Sequence, residues 1–211
     1  MARAQAGVYV GFQATQFSGI TCFDPQGQCA SANGKVNPQG VQAGVYYDFR
    51  NFGPMRLGVD FRGGTEHSNK SATTSAGGAD TTFTDNALLG VRGSFHTHYS
   101  WLNPYVQISA GYARSDVTIP TCETTAGGIL LCSGPTTPVI TTAPRAFDNF
   151  FEYEGFAGLS IPVFPFIDLR PIELGIGNMN RIGSASVLDS QSSIGVKSIG
   201  ASVVFHLPST R

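Results

Sequence analysis

Alternation with a period of two dominates this chain. From Met55 to Arg62 the odd positions are Met55, Leu57, Val59 and Phe61, and the even positions are Arg56, Gly58, Asp60 and Arg62. A strand sends successive side chains to opposite faces, so this segment is a ribbon with one apolar face and one charged or glycine face. The same partition recurs roughly eight times along the chain. What such a chain can be depends on which face meets which solvent.

Strand pattern covers Gln5 to Phe17, Gln39 to Asn51, Met55 to Arg62, Phe83 to His96, Pro104 to Arg114, Phe147 to Ile161, a stretch around Asp168 to Ile176, and Ser193 to Leu207. In the seventh, Asp168 and Arg170 share parity with Ile172, Leu174 and Ile176, and a bulge at Pro171 would restore the alternation. Between the strands, four long loops are expected: Ser18 to Pro38, the low-complexity Gly63 to Thr82, Ser115 to Ala146, and Asn178 to Ser192. Three short turns alternate with them: Asn51 to Pro54, Thr97 to Asn103, and Pro162 to Pro165. In an up-and-down meander this order gathers the long loops at one end and the turns at the other, an asymmetry of outer-membrane barrels. The strands run to about 10 to 14 residues, enough for a tilted strand to cross hydrocarbon and about twice the globular mean. The expected fold is one all-β domain over residues 1–211, an eight-stranded antiparallel up-and-down transmembrane β-barrel.

Charged residues are only 13% of the chain, about half the usual share for a soluble domain, while Gly, Ser, Thr, Asn and Gln fill the gap. A net charge of −1 leaves no basic footprint for nucleic acid. No run approaches the roughly 20 apolar residues of a membrane helix, so strands would have to do any crossing. Ala2-Arg3-Ala4 has the small-x-small form of a signal cleavage site, and Met1 is read as a start residue ahead of a mature exported chain. The cysteines form two local pairs, Cys22 with Cys29 and Cys122 with Cys132, inside loop-like stretches. That suits two loop-closing disulfides in an oxidising compartment. A metal site is disfavoured because neither pair is spaced C-x-x-C and His67, His96, His98 and His206 lie elsewhere.

In a soluble carrier barrel the apolar face would turn inward; in a membrane barrel it turns outward. The polar face carries Gly7, Gly11, Gly44, Gly58, Gly90, Gly111, Gly158, Gly175 and Gly200, small residues that suit a narrow lumen better than a solvated surface. Its charges nearly balance: Arg50, Arg56, Arg62 and Arg92 against Asp48, Asp60, Glu152, Glu154 and Glu173. An unpaired buried charge costs several kcal/mol, so Arg56, Asp60, Arg62, Arg92, Glu152, Glu154 and Glu173 are expected to form a luminal ion-pair network. Aromatics band at both ends. Tyr47, Phe49, Phe52, Phe95, Tyr99, Trp101, Phe164, Phe166 and Phe205 mark the turn end, and Phe12, Phe17, Phe61, Phe83, Tyr112, Phe151 and Tyr153 the loop end.

The last strand contains Ser198, Gly200, Val203 and Phe205 in the order polar, any, Gly, any, any, apolar, any, aromatic. This resembles the C-terminal assembly signal of bacterial outer-membrane barrels, which usually stop at the aromatic, whereas His206 to Arg211 follow here. Over its length the chain resembles small eight-stranded barrels of the OmpA/OmpX-like superfamily. The resemblance implies a Gram-negative outer membrane, with loops extracellular and both termini periplasmic. It also implies contact with outer-membrane lipid and lipopolysaccharide, and with the outer-membrane assembly machinery during biogenesis. The leading functional expectation is a monomeric, non-enzymatic anchor without cofactor or metal, displaying loops for adhesion or for an extracellular ligand. Three alternatives stand beside it. One is a narrow pore in which Arg92 or Arg62 switches between Glu152 and Glu173. Another is a lipid-modifying enzyme built on Ser94 or Ser100 with His96 and His98. The third is a soluble lipocalin-like carrier.

Overall fold

The computed structural model describes residues 5–20, 34–68, 82–95, 101–117, 121–124, 130–133, 147–183 and 193–207. In chain order these form β1 (Gln5–Ile20), β2 (Gly34–Val36), β3 (Gln39–Phe52), β4 (Met55–Ser68), β5 (Thr82–Phe95), β6 (Asn103–Ser115), β7 (Thr121–Thr124), β8 (Leu130–Ser133), β9 (Asp148–Phe164), β10 (Ile167–Arg181) and β11 (Ser193–His206). Eight of them make the wall. The order β1-β3-β4-β5-β6-β9-β10-β11 is antiparallel throughout, and β11 pairs back onto β1 from Gly7 opposite His206 to Ser18 opposite Gly195. The result is a closed eight-stranded up-and-down barrel. Closure leaves no unpaired edge, which a chain surrounded by hydrocarbon requires.

Alternation maps directly onto the wall. In β3 the even residues Gln42, Gly44, Tyr46 and Asp48 are buried inside and the odd residues Val41, Val45 and Tyr47 are exposed outside. The outer surface continues through Leu89, Ile108, Leu174 and Ile176, which are 62%, 75%, 52% and 66% exposed. Outward charges on the strands, Asp85, Arg114 and Lys197 towards one end and Arg50 towards the other, lie outside this apolar belt. A soluble monomer rarely shows a continuous apolar patch beyond a few hundred Å². No helix among the described residues is long and apolar enough to cross a membrane; the strand wall is the surface a bilayer would meet.

Two bulges reset the alternation. One falls between Arg170 and Glu173, around Pro171, whose missing N–H cannot join a regular ladder. It turns both Arg170 and Glu173 inward while Ile172 and Leu174 face out. The other falls between Asp48 and Arg50. It expels Arg50, which parity places inside; Arg50 is exposed, with its guanidinium 4.9 Å from the Phe52 ring.

Several strands run further than apolar alternation alone indicates. β1 reaches Ile20, β4 reaches Ser68 and β10 reaches Arg181, so parts of three expected loops belong to the wall. Pairing of residues 63–68 with 82–87 needs only backbone N–H and C=O groups, which glycine and threonine supply as well as valine. Within the expected Ser115–Ala146 loop, β7 and β8 form a separate hairpin. Residues 21–33, 69–81, 118–120, 125–129, 134–146 and 184–192 lie outside the described residues, as do the turn residues 96–100.

Candidate functional site

The lumen is filled in layers. At the turn end a cavity of about 280 Å³ is walled by Tyr46, Asp48, Arg56, Arg92, Ser94 and Asp168, among others. His206 closes one side: its Nε2 lies 2.9 Å from Asp168 Oδ1 and its Nδ1 3.1 Å from the Tyr46 hydroxyl. Ser160 donates a second hydrogen bond to Asp168 at 2.9 Å. Backbone N–H groups of His206 and Leu207 bond to Phe166 O and Ala6 O, each at 2.9 Å, so these two residues are built into the barrel rim.

Above the cavity stand three tyrosines, each lying across a glycine of the neighbouring strand. Tyr9 pairs with Gly44, Tyr46 with Gly7 and Tyr105 with Gly158. A methyl group added to Gly44 would fall 2.4 Å from the Tyr9 ring, so the absent side chain is what lets that ring lie against the wall. The rings carry cations. The Arg92 guanidinium is 4.1 Å from the Tyr46 ring and 4.6 Å from that of Tyr105, and Arg170 is 4.6 Å from Tyr9 and 4.8 Å from Tyr105. Such stacking is worth about 2 kcal/mol where water is excluded.

The centre of the lumen is a single node around Arg62. Its Nη1 and Nη2 donate to the two oxygens of Glu173 at 2.7 and 3.1 Å, Nη2 also reaches Gln107 Oε1 at 3.2 Å, and Nε lies 3.5 Å from Asp60. Tyr105 donates to Glu173, while Tyr9 and Gln107 each donate to Asp60 at 2.9 Å. The Phe156 ring covers the guanidinium face at 3.9 Å. This is a bidentate, buried pair whose Nη2 also meets Gln107, while Arg62 Nε has only the 3.5 Å ionic contact with Asp60 and no hydrogen-bond partner among the described residues.

Towards the loop end lies an acidic layer of Glu66, Glu152 and Glu154, all at least nine-tenths buried and within electrostatic range of one another. Thr15 donates to Glu66 at 2.7 Å and Ser198 to Glu154 at 3.3 Å. An apolar plug of Phe17, Val36, Ala113, Val117, Phe150, Met179, Ile194 and Val196 packs at the loop end, each residue no more than 2% exposed. Beyond it Arg181 pairs with Asp148 at 3.3 Å.

The seven expected network residues therefore separate. Arg62, Asp60 and Glu173 come together, Arg56 and Arg92 wall the turn-end cavity, and Glu152 and Glu154 form no ion pair with an arginine among the described residues. Two further luminal charges join them: Glu66, within the expected Gly63–Thr82 loop, and Arg170, whose inward turn depends on the bulge. Glu66 shares the even parity of Asp60 and Arg62, which was a usable signal. Phe17, assigned to an outer belt, is 1% exposed and belongs to the plug, as its shared parity with Tyr9 and Gln13 requires. Of the assembly-signal residues, Ser198 faces the lumen, Gly200 stands opposite Gln13 and Glu173, Val203 is half-buried, and Phe205 points outward at the turn end. Cys122 stands directly opposite Cys132 in the β7–β8 register, and Cys22 and Cys29 lie outside the described residues. Ser94 is buried against the cavity, while Ser100, His96 and His98 lie outside the described residues.

No protein-family model and no curated protein matches the chain. Among solved structures it is similar to Ail, the attachment invasion locus protein of Yersinia pestis, solved with the heparin analogue sucrose octasulfate. That match has 11% identity and a TM-score of 0.47, covering 98% of this chain and 100% of that one. It is also similar to Neisserial surface protein A, at 16% identity and a TM-score of 0.43, covering 94% and 96%. A major outer membrane protein of Thermus thermophilus matches at 11% identity and a TM-score of 0.37, covering 94% and 99%.

Proposed function

We propose that this chain is an integral outer-membrane barrel whose work is to anchor and display the connections at its loop end. The supporting observation is the inversion of its wall: Leu89, Ile108, Leu174 and Ile176 face outward while Arg62, Arg170, Glu152 and Glu154 are buried inside. A soluble carrier needs the opposite arrangement. The plug around Phe17, Phe150 and Met179 favours an anchor over a conducting pore, because it packs buried apolar side chains where a water path would have to run.

In this reading the turn end and both termini face the periplasm, and the loop end faces the exterior. Phe205 and the strand carrying Ser198, Gly200 and Val203 serve recognition by the assembly machinery, lipid and lipopolysaccharide bathe the wall, and the barrel works as a monomer. The loops carry adhesion or hold an extracellular ligand, with Cys22–Cys29 and Cys122–Cys132 as disulfide staples that limit proteolysis. The register of Cys122 opposite Cys132 supports the second staple. No catalytic residue, metal or cofactor is needed for this role.

Gel migration tests the anchor. Folded in detergent and left unheated, the protein should resist SDS and run apart from the boiled form. A chain that stays dispersed without detergent and shows no heat-dependent shift would contradict it. Display is tested separately by deleting residues 118–146: cell-surface binding should fall while the heat-dependent shift persists. Intact mass under non-reducing alkylation should show no modified cysteine.

A further inference from the structure

Above the apolar belt the outer wall is not the same on all sides. Elsewhere at the loop end the described outward residues include charges: Asp85 and Arg114 stand opposite each other in the β5–β6 register, and Lys35 and Lys197 are exposed on β2 and β11. Across β6, β9 and β10 the wall presents rings and amides instead. Tyr112, Phe151 and Tyr153 are 47%, 46% and 41% exposed, with Tyr112 directly opposite Phe151 and the rings of Phe151 and Tyr153 6.4 Å apart. Tyr112 donates a hydrogen bond to Asn149, and Asn178 donates to the Tyr153 hydroxyl at 3.3 Å. Arg114 borders the patch with its guanidinium over the Phe147 ring at 4.2 Å.

Those two bonds use only part of what the groups can offer. Among the described residues they leave the Asn149 amide hydrogens, the Tyr153 hydroxyl hydrogen and Asn178 Oδ1 to be met from outside the chain. Donors and an acceptor thus lie side by side, on uncharged residues, next to the apolar faces of three rings. A phosphate only accepts and would leave Asn178 Oδ1 unmet. A sugar both donates and accepts through its hydroxyls, and its C–H face packs on an aromatic ring.

The next outward residue of β9 towards the turn end is Gly155, opposite Ile108 on one side and Ile176 on the other. These isoleucines are 75% and 66% exposed, and a methyl group added to Gly155 would meet nothing nearer than Ile176 O at 3.9 Å. Ala157 follows on the same strand, so two small residues run between two ridges set two strand spacings apart, about 10 Å. The notch opens into the apolar belt directly below the polar patch and has room for one hydrocarbon chain.

We propose that this face of the wall binds one glycolipid of the surrounding leaflet. Its uncharged sugar head lies on the Tyr112, Phe151 and Tyr153 rings and bonds to Asn149, Tyr153 and Asn178, and an acyl chain fills the notch at Gly155 and Ala157. The inference rests on the membrane reading above and gives one side of the barrel a preferred lipid.

Native mass spectrometry tests it on the full chain folded in a polyoxyethylene detergent, which brings no sugar of its own. Digalactosyl diacylglycerol, phosphatidylcholine and phosphatidylglycerol with matched chains are added in equal amounts. One glycolipid per barrel should be retained about tenfold over either phospholipid. Tyr153→Phe keeps the ring and removes the hydroxyl, and should lower that preference by about threefold or more. Gly155→Leu fills the notch and should lower glycolipid retention by a similar factor, whereas Thr65→Val, exposed towards the loop end of β4, should change nothing. The heat-dependent gel shift of each variant separates a failed fold from a failed site; if Gly155→Leu does not fold, Tyr153→Phe decides. If the unaltered protein lacks the shift, the membrane reading fails and takes this site with it. If it shows the shift yet holds the three lipids alike, or prefers phosphatidylglycerol, the barrel stands and the glycolipid site is overturned. Unchanged preference in Tyr153→Phe, or unchanged retention in folded Gly155→Leu, overturns it as well.

Discussion

Replacing Arg62 with methionine removes the only cation bonded to Glu173 among the described residues and takes from Asp60 its 3.5 Å partner. Both carboxylates stay buried, Asp60 at 0% and Glu173 at 5% exposure, and keep only neutral donors. Breaking a buried pair from one side leaves an uncompensated charge, so the expected loss is about 3 to 5 kcal/mol. Glu173→Gln is milder. Arg62 retains Asp60, and the lost charge-assisted bonds at 2.7 and 3.1 Å correspond to about 1.5 to 3 kcal/mol. The double variant puts a neutral amide beside a neutral thioether and leaves only Asp60 without its cation, so it should lose much less than the sum. The coupling energy should be about 1 to 3 kcal/mol. Urea unfolding from lipid vesicles, followed by tryptophan fluorescence and gel migration, gives all four corners of the cycle. If Arg62→Met loses under about 0.5 kcal/mol, or the two changes add, the node does not hold the lumen together.

Other consequences are simpler to read. Gly44→Ala drives a methyl group to 2.4 Å from the Tyr9 ring and 2.6 Å from Phe61 O, and should cost about 1 to 3 kcal/mol in the same unfolding assay. Leu89→Arg places a charge in the middle of the outer apolar belt and should cost about 2 to 4 kcal/mol from vesicles, whereas Arg50→Gln should stay within about 0.5 kcal/mol. Phe17→Ala empties part of the plug and should lose about 3 to 5 kcal/mol; a neutral result would mean that Phe17 faces outward after all.

The barrel was readable because its information is carried by parity. Once Val59 and Asp60 face opposite ways, every other residue of β4 is assigned, and closure follows from strands too long and too numerous to pair otherwise. Parity fails where the backbone inserts a residue. The Pro171 bulge announced itself through a break in the pattern, but the bulge before Arg50 did not, since Arg50 fits the luminal row in type. Strand ends were the second blind spot. Apolar alternation fades at Gly63 and Gly64, yet the ladder continues for four more residues on backbone bonds alone, carrying Glu66 into the lumen. Choice of ion-pair partner was the third. Residues on different strands share the lumen at heights set by register and stagger, so the sequence shows that Arg62, Arg92, Glu152 and Glu173 face inward but not which two meet. The tyrosine platforms could have been found only by matching Tyr9, Tyr46 and Tyr105 to glycines across strand pairs whose register was not yet known.

The orientation of the wall is tested most directly by tryptophan quenching with brominated lipid. Trp101 is first replaced by phenylalanine, and single tryptophans are then placed at Leu88, 1% exposed, and at Leu89, 62% exposed. In vesicles the tryptophan at 89 should be quenched strongly by bromine on the acyl chains and the one at 88 hardly at all. Equal quenching at both sites, or quenching at 88 and not at 89, would contradict an apolar face turned to lipid.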